Sequence, residues 1–321
     1  MRISLIIPVY NAEKTLPATL DSIRAQRFRD FEVIFSEDAG TDGSAALLEA
    51  FCRESGLSCK LLRAQKNGGA AAARNRALEV AEGDYLAFAD ADDLMKPDML
   101  ERAAEAAGGG ADIVGWDWTL GLSEGGRYMR QADYATPEQA LLNLTGGTMR
   151  WTLWLFMLKR DLVKDLRFIP GADLGEDMQF ILQAFLRANR VVQIHESLYC
   201  YNNTNEASIS KTFNDVRRVQ IATNLAAVEE SFAATEFTRK YPMAVTDLKL
   251  YLKRPLLISP HRQDYELWYN WFPEANDRAR VRAALPAHTY LLQKMAAGRC
   301  WAGVRIYYLV MHQILYKLLY R

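Results

Sequence analysis

Three carboxylates, Asp90, Asp92 and Asp93, follow directly on the apolar run Tyr85-Leu86-Ala87-Phe88-Ala89. The run has the length of a buried strand. In an open α/β sheet, ligands sit beyond the carboxyl ends of the strands, so acids leaving that end face a ligand crevice. Side chains alternate along an extended chain, which places Asp90 and Asp92 on one side. Converging carboxylates repel one another, and a bound divalent cation relieves the repulsion. Alone, such a triplet also reads as a solvated loop or a helix cap. Its place after a buried strand singles it out.

The elements that must position these acids read as alternating strands and helices. Ile3 to Val9 is a buried strand interrupted by Pro8, and Asn11 is placed to cap a helix carrying Leu16, Leu20 and Ile23. Phe31 to Phe35 is a second strand that runs out into Ser36-Glu37-Asp38-Ala39-Gly40-Thr41-Asp42. A helix with Leu47, Leu48 and Phe51 inward, a strand around Lys60-Leu61-Leu62, the turn Asn67-Gly68-Gly69 and a helix from Ala70 to Val80 lead to the Tyr85 strand. This alternation predicts a parallel, doubly wound sheet. Further on, Pro97 to Ala107 reads as a helix, Asp112 to Trp118 as a strand and Gly125-Gly126 as a hairpin turn. The apolar, aromatic Trp151 to Leu158 reads as a strand, Gly175-Glu176-Asp177 opens a helix, and Val191 to Tyr201 is a strand. From Asn214 the pattern is helical, broken at Pro242, Pro255, Pro260, Pro273 and Pro286. The boundary between an α/β part, residues 1–211, and a helical part, 212–321, falls near Lys211.

Composition narrows the function classes. The 321 residues are 50% hydrophobic and 24% charged with zero formal net charge, ordinary globular material that argues against a nucleic-acid binder. The four cysteines show no CxxC spacing and read as reduced cytosolic thiols. The apolar stretch before Pro8 is too short for a signal peptide and no run approaches a membrane span, so a cytoplasmic location is expected. From Arg278 onward there are eight Lys or Arg residues and no acid.

Five stretches together carry a resemblance. Ile6-Ile7-Pro8-Val9-Tyr10-Asn11, Ser36 to Asp42, Ala73-Arg74-Asn75, Phe88 to Asp93 and Gly175-Glu176-Asp177 occur in the order in which similar motifs occur in the family 2 glycosyltransferases. The resemblance covers about residues 1 to 211 and implies a GT-A-like fold: a doubly wound, mostly parallel sheet flanked by helices, here with a helical C-terminal extension. It implies transfer of a sugar, with inversion, from a nucleotide-sugar donor, a UDP-sugar, to an acceptor hydroxyl on a sugar or lipid-linked acceptor. It further implies that Pro8, Val9, Tyr10, Glu37 and Asp38 wall the nucleobase site, with Asp38 as partner of a uracil N–H. Arg74 would lie near the nucleotide, with Ala91 beside it. Asp90 would hold the ribose or a metal-bound water, and Asp92 would ligate Mn²⁺ or Mg²⁺. Asp177 would be the catalytic base, with Glu176 orienting the acceptor. Trp154 is a further candidate for stacking on the acceptor, and core packing is its other reading. Two departures stand out. Glu37-Asp38-Ala39-Gly40 replaces an aspartate pair with Gly-Ser, and Tyr201-Asn202 stands where an aromatic-Arg pair is common.

A leaving diphosphate calls for a hard cation with oxygen ligands, and an acceptor hydroxyl needs a carboxylate to take its proton. One inverting displacement needs no protein nucleophile, unlike a retaining double displacement. A nicotinamide oxidoreductase would need G-x-G-x-x-G where Pro8-Val9-Tyr10-Asn11 stands. A sugar-nucleotide pyrophosphorylase would need a glycine-rich, arginine-containing loop there. A non-catalytic sugar-nucleotide-binding module of the same fold is a further alternative. His195, beside Glu196 at a strand end, reads as a surface histidine. Trp301, Val304, Tyr308, Met311, Leu315 and Leu318 share one helix face, with Arg299, Gln313, Lys317 and Arg321 opposite. Such a helix suits an anionic membrane surface; Ile306 and Val310, interrupting the polar face, suit packing on the protein or pairing with a second subunit through 299–321.

Overall fold

The computed structural model describes residues 1–122, 125–204, 214–281 and 287–311. Among the described residues nine strands form one sheet: β1 (Ile3–Val9), β2 (Phe31–Glu37), β3 (Ser58–Arg63), β4 (Tyr85–Phe88), β5 (Leu94–Met95), β6 (Ile113–Leu120), β7 (Arg127–Met129), β8 (Phe156–Lys159) and β9 (Val191–Tyr201). Their order is β3-β2-β1-β4-β8-β6-β9-β5, with β7 paired to β6. β1 and β2 are buried along their whole length save Pro8, as strands covered on both faces are, and their buried polar pair is satisfied by Ser4 Oγ donating to Glu32 at 2.6 Å. β3, at the edge, is only half-buried.

The register sets up the site. β1, β2 and β4 run parallel, with Val9 opposite Glu37 and Ile6 opposite both Ile34 and Phe88. Their carboxyl ends therefore share one edge, from which Tyr10, Asp38 and Ala89 lead into three neighbouring loops. The expectation of a mostly parallel sheet holds for this half, and β6 and β9 are also parallel. β8 lies antiparallel between β4 and β6, β5 pairs antiparallel with β9, and β7 with β6. The sheet is mixed. The Trp151 to Leu158 stretch is not one strand: Leu153–Leu155 is a 3₁₀ turn, and the strand begins at Phe156.

Met1–Leu141 with Trp151–Ala233 make one compact unit, and Leu142–Arg150 with Ala234–Arg321 a second. The first contains the whole sheet and the helix Asp215–Phe232. The second is helical around Leu250, Leu257, Tyr265, Trp268 and Val304. Its buried Lys253 ammonium donates to the carbonyls of Trp271 and Phe272 and to Asn276 Oδ1 at 2.7 Å, and it lies 4.1 Å from the Trp268 ring centroid. In the helix Trp301–Tyr308, Val304 is buried and Trp301 packs against Tyr265 and Tyr269, whereas Ile306, Leu309 and Val310 are exposed. The face proposed for a lipid surface thus begins inside the unit's own core. Leu315, Leu318, Gln313, Lys317 and Arg321 lie outside the described residues, as does Lys211. No helix among the described residues is long and apolar enough to cross a membrane.

Candidate active site

The loops after β1 and β2 are stitched to each other. Asn11 does not cap a helix; it sits at a left-handed φ of 47° and its Oδ1 accepts from Thr41 N at 2.7 Å. The following helix starts only at Leu16, behind Thr15. Ala12 N donates to Ser44 Oγ, and Glu13 N to Asp42. Pro8 is half-buried, Val9 buried and Tyr10 half exposed, the most accessible of the three. Glu37 is buried and its Oε1 accepts from Gly40 N. The carboxylate that replaces the shorter aspartate is thus used to close its own loop.

Asp38 is also buried and carries three bonds. Oδ2 accepts from Gly68 N at 2.9 Å and Gly69 N at 2.7 Å, and Oδ1 from the Arg76 guanidinium at 2.7 Å. A carboxylate oxygen has two acceptor positions, and the Arg76 bond uses one of those on Oδ1. Arg76 escaped the sequence reading because it is two residues beyond Arg74 on the same helix, Gly69–Val80, where i and i+2 point to different sides.

At the third loop the strand ends at Phe88, and Asp93 N closes a turn on Asp90 O at 3.3 Å. The alternation argument for Asp90 and Asp92 therefore does not apply, since neither lies on a strand. What orders the turn is external. Ala91 O accepts from Thr15 and Thr19 hydroxyls at 3.1 Å each, and Asp93 O from Thr19 at 2.9 Å. Asp93 points away from the crevice: it is buried and accepts from Tyr199 Oη at 2.8 Å and Asn202 N at 2.7 Å. Burial, with Asp90 nearby, pushes it up to about 8. It ties the turn to β9. Asn202, in the place of the absent arginine, is occupied in this tie and in a bond to Thr204.

Arg74 joins this turn to the helix Glu176–Arg187. Its guanidinium lies 2.8 Å from Glu176, 3.4 Å from Asp90 and 3.4 Å from Asp177. One cation thus faces three carboxyls and cannot neutralise them all. Withdrawal from water pushes Asp90 up to about 6, against the pull of Arg74 and with Asp177 and Asp92 adding to the rise. Burial also pushes Glu176 up to about 8, with Asp177 adding and Arg74 opposing. The two acids differ in access. Asp177's side chain is 18% exposed and Glu176's 11%; Asp177 Oδ2 accepts from Leu153 N at 3.1 Å. Gly175, at φ 85°, supplies the left-handed turn that launches this helix. Trp154 is 5% exposed, stacked on Tyr199 at 4.6 Å and on Tyr201 at 5.5 Å; it packs in the core beneath the site.

The Glu176 shift has a testable sign. A carboxyl that keeps its proton in the folded state up to about pH 8, and loses it near 4.3 when unfolded, makes stability fall as pH rises through that window. Glu176→Gln is therefore expected to melt with the wild type at pH 5 and several degrees above it at pH 8. A variant that melts lower at pH 8 would show that an ionised Glu176 stabilises through Arg74.

Asp90 and Asp92 are the two carboxylates that the resemblance assigns to a cation; among the described residues no group of three or more His, Cys, Asp or Glu is placed to hold one. Magnesium-type sites take one or two carboxylates and fill the rest with substrate phosphates and water. The donor set fits such an ion. His195 is partly exposed and lies between Asp117 and Asp133, at 3.4 and 3.5 Å, remote in role from these acids.

Residues 4–176, more than half of the chain, match the model of the family described as "Glycosyl transferase family 2". The chain is 28% identical over 227 residues to glycosyltransferase GlyG of Streptococcus pneumoniae serotype 4, an alignment covering 67% of this chain and 74% of GlyG. It is 30% identical over 209 residues to the uncharacterised glycosyltransferase EpsJ of Bacillus subtilis, covering 62% of this chain and 60% of that protein. The crystal structure of residues 1–349 of Staphylococcus aureus TarS in complex with UDP-GlcNAc superposes with a TM-score of 0.73 at 22% identity, covering 98% of this chain and 92% of that one. The fold is shared.

Proposed function

The chain belongs to glycosyl transferase family 2, and on that footing we propose that it is a metal-dependent, inverting glycosyltransferase that moves a sugar from a UDP-sugar to an acceptor hydroxyl. The observation that carries the reading is Arg74, whose guanidinium lies within 3.4 Å of Asp90 on one side and of Glu176 and Asp177 on the other. It brings a donor-side carboxylate and an acceptor-side carboxylate into one crevice.

The residues divide the work as follows. Tyr10 and Asp38 receive the nucleobase, with Pro8, Val9 and Glu37 as the wall behind them. Asp92, with Asp90, would hold Mn²⁺ or Mg²⁺, which would offset the charge that develops on the leaving diphosphate. Asp177, the more open of the two helix acids, takes the acceptor proton as the hydroxyl oxygen attacks the anomeric carbon and the bond to the diphosphate breaks. Glu176 stays against Arg74 and steadies it. A single displacement by the acceptor oxygen inverts the anomeric centre and needs no second attacking carboxylate.

UDP is the favoured nucleotide because Asp38 offers an acceptor to a uracil N3–H, and because the TarS structure of the same fold holds UDP-GlcNAc. Calorimetric titration with UDP, GDP and TDP in Mn²⁺ tests the choice. UDP is expected to bind at least about tenfold more tightly than GDP, the worth of one hydrogen bond to a charged group; a GDP preference would overturn the base assignment.

A further inference from the structure

The helix bearing Glu176 and Asp177 follows a stretch without regular structure, from Phe168 to Gly175. Such a stretch holds its course only through bonds to other elements. Asn75 grips one end reciprocally: its Nδ2 donates to Phe168 O and its Oδ1 accepts from Phe168 N, both at 2.9 Å. Asp173 Oδ1 accepts from Ala71 N at 2.8 Å, in the first turn of the helix Gly69–Val80 that carries Arg74. The other end is held from the helix Asp215–Phe232. Gln220 Nε2 donates to Gly171 O at 3.0 Å. One turn along, Asn224 Nδ2 donates to Ala172 O at 2.8 Å and to Leu174 O at 3.0 Å. Residues four apart share a helix face, so both amides address the same loop.

Resting on the reading of Asp177 as the base, we propose that Asn224 is a positioning residue for the Glu176–Asp177 pair, with Gln220 as a weaker second support. Asn224 is fully buried, and both N–H groups of its amide are spent on the carbonyls that flank Asp173. The second of these carbonyls precedes Gly175, the left-handed residue from which the helix departs. A Cβ at Gly175 would lie 3.8 Å from Asn224, so the asparagine stands directly behind that joint. Fixing Leu174 O fixes the direction in which Glu176 and Asp177 set out, three residues or fewer away. The fold itself has other anchors: Phe180 and Phe185 are buried, and Gln183 donates to Ser231 Oγ at 2.6 Å. Loss of the Asn224 amide therefore loosens the start of the helix and leaves its body in place. Misplacement of a reacting group by about 1 Å costs rate on the order of 10²-fold.

The experiment is a double-mutant cycle between Asn224→Leu and Asp177→Asn, repeated with Gln220→Leu in case the first variant folds poorly. Turnover is read as release of UDP from UDP-N-acetylglucosamine or UDP-glucose in Mn²⁺, whichever the wild type cleaves faster, and affinity as the Kd of UDP. If Asn224 acts through Asp177, Asn224→Leu slows the wild type about tenfold or more, slows Asp177→Asn less than twofold, and leaves the UDP Kd within twofold. Gln220→Leu repeats the pattern at about two- to fivefold. Equal slowing in both backgrounds, wild-type turnover in both Asn224→Leu and Gln220→Leu, or loss of UDP affinity in parallel with rate would each overturn the proposal. Wild-type turnover by Asp177→Asn alone would instead remove the base assignment, and the positioning role with it.

Discussion

Asp177→Asn is expected to lower turnover by about 10²-fold or more while leaving nucleotide affinity unchanged within about twofold. The amide keeps the shape of the side chain and its bond from Leu153 N, since the amide oxygen still accepts. It cannot take a proton from the acceptor hydroxyl. The nucleotide side keeps its geometry because Asp90 and Asp92 stand on a different loop, ordered by Thr15 and Thr19. Glu176→Gln, by contrast, changes a carboxyl already held against Arg74 and is expected to cost less rate. The assay is release of nucleoside diphosphate, alongside the Kd of UDP by calorimetry. Wild-type turnover in Asp177→Asn would move the base elsewhere.

Asp92→Ala is expected to abolish the effect of Mn²⁺ on UDP binding. With the carboxylate present, Mn²⁺ should tighten UDP by about 10–100-fold, the worth of one or two charge-assisted contacts. Without it, the Kd in Mn²⁺ should approach that in EDTA. The fold should survive, because Ala91 O, Asp93 O and the Asp93 carboxylate all hold the turn. An unchanged Mn²⁺ effect in the variant would place the metal on other residues.

The elements that carry these residues were legible where burial imposes a pattern. β4 is an unbroken apolar run, β1 and β2 are apolar but for a few polar residues, and β9 covers the Val191 to Tyr201 predicted for it. The start of β8 was not, because its three buried residues follow an aromatic 3₁₀ turn and carry no periodicity of their own. Its antiparallel insertion between β4 and β6 is a choice of partner, which no local sequence expresses. Asn11 illustrates a different limit. A short polar residue before an apolar-periodic stretch reads as a cap, yet its oxygen serves the neighbouring loop at Thr41.

In the site, residue types were legible and their partners were not. The five motifs pointed to Asp90, Asp92, Arg74 and Asp177. The meeting of Arg74 with Glu176 spans 102 positions in the chain. Likewise, Asp38 was picked out as partner of a uracil N–H, and its bonds to Gly68, Gly69 and Arg76 had no signature in the sequence. The roles of Asp173 and Asn224 depend on contacts to backbone atoms, which leave no signature in residue type. Trp154 shows the reverse: an aromatic residue near the cleft is core when it stacks on two tyrosines.

The central claim is that Asp92 and Asp177 serve the two halves of one metal-dependent sugar transfer. The most direct measurement is release of nucleoside diphosphate from UDP- and GDP-sugars by the wild type, Asp92→Ala and Asp177→Asn, each in Mn²⁺ and in EDTA. The predicted result is release by the wild type from a UDP-sugar in Mn²⁺ only, with both variants at least about 10²-fold slower. Release at the same rate in EDTA, or by either variant at the wild-type rate, would contradict the account.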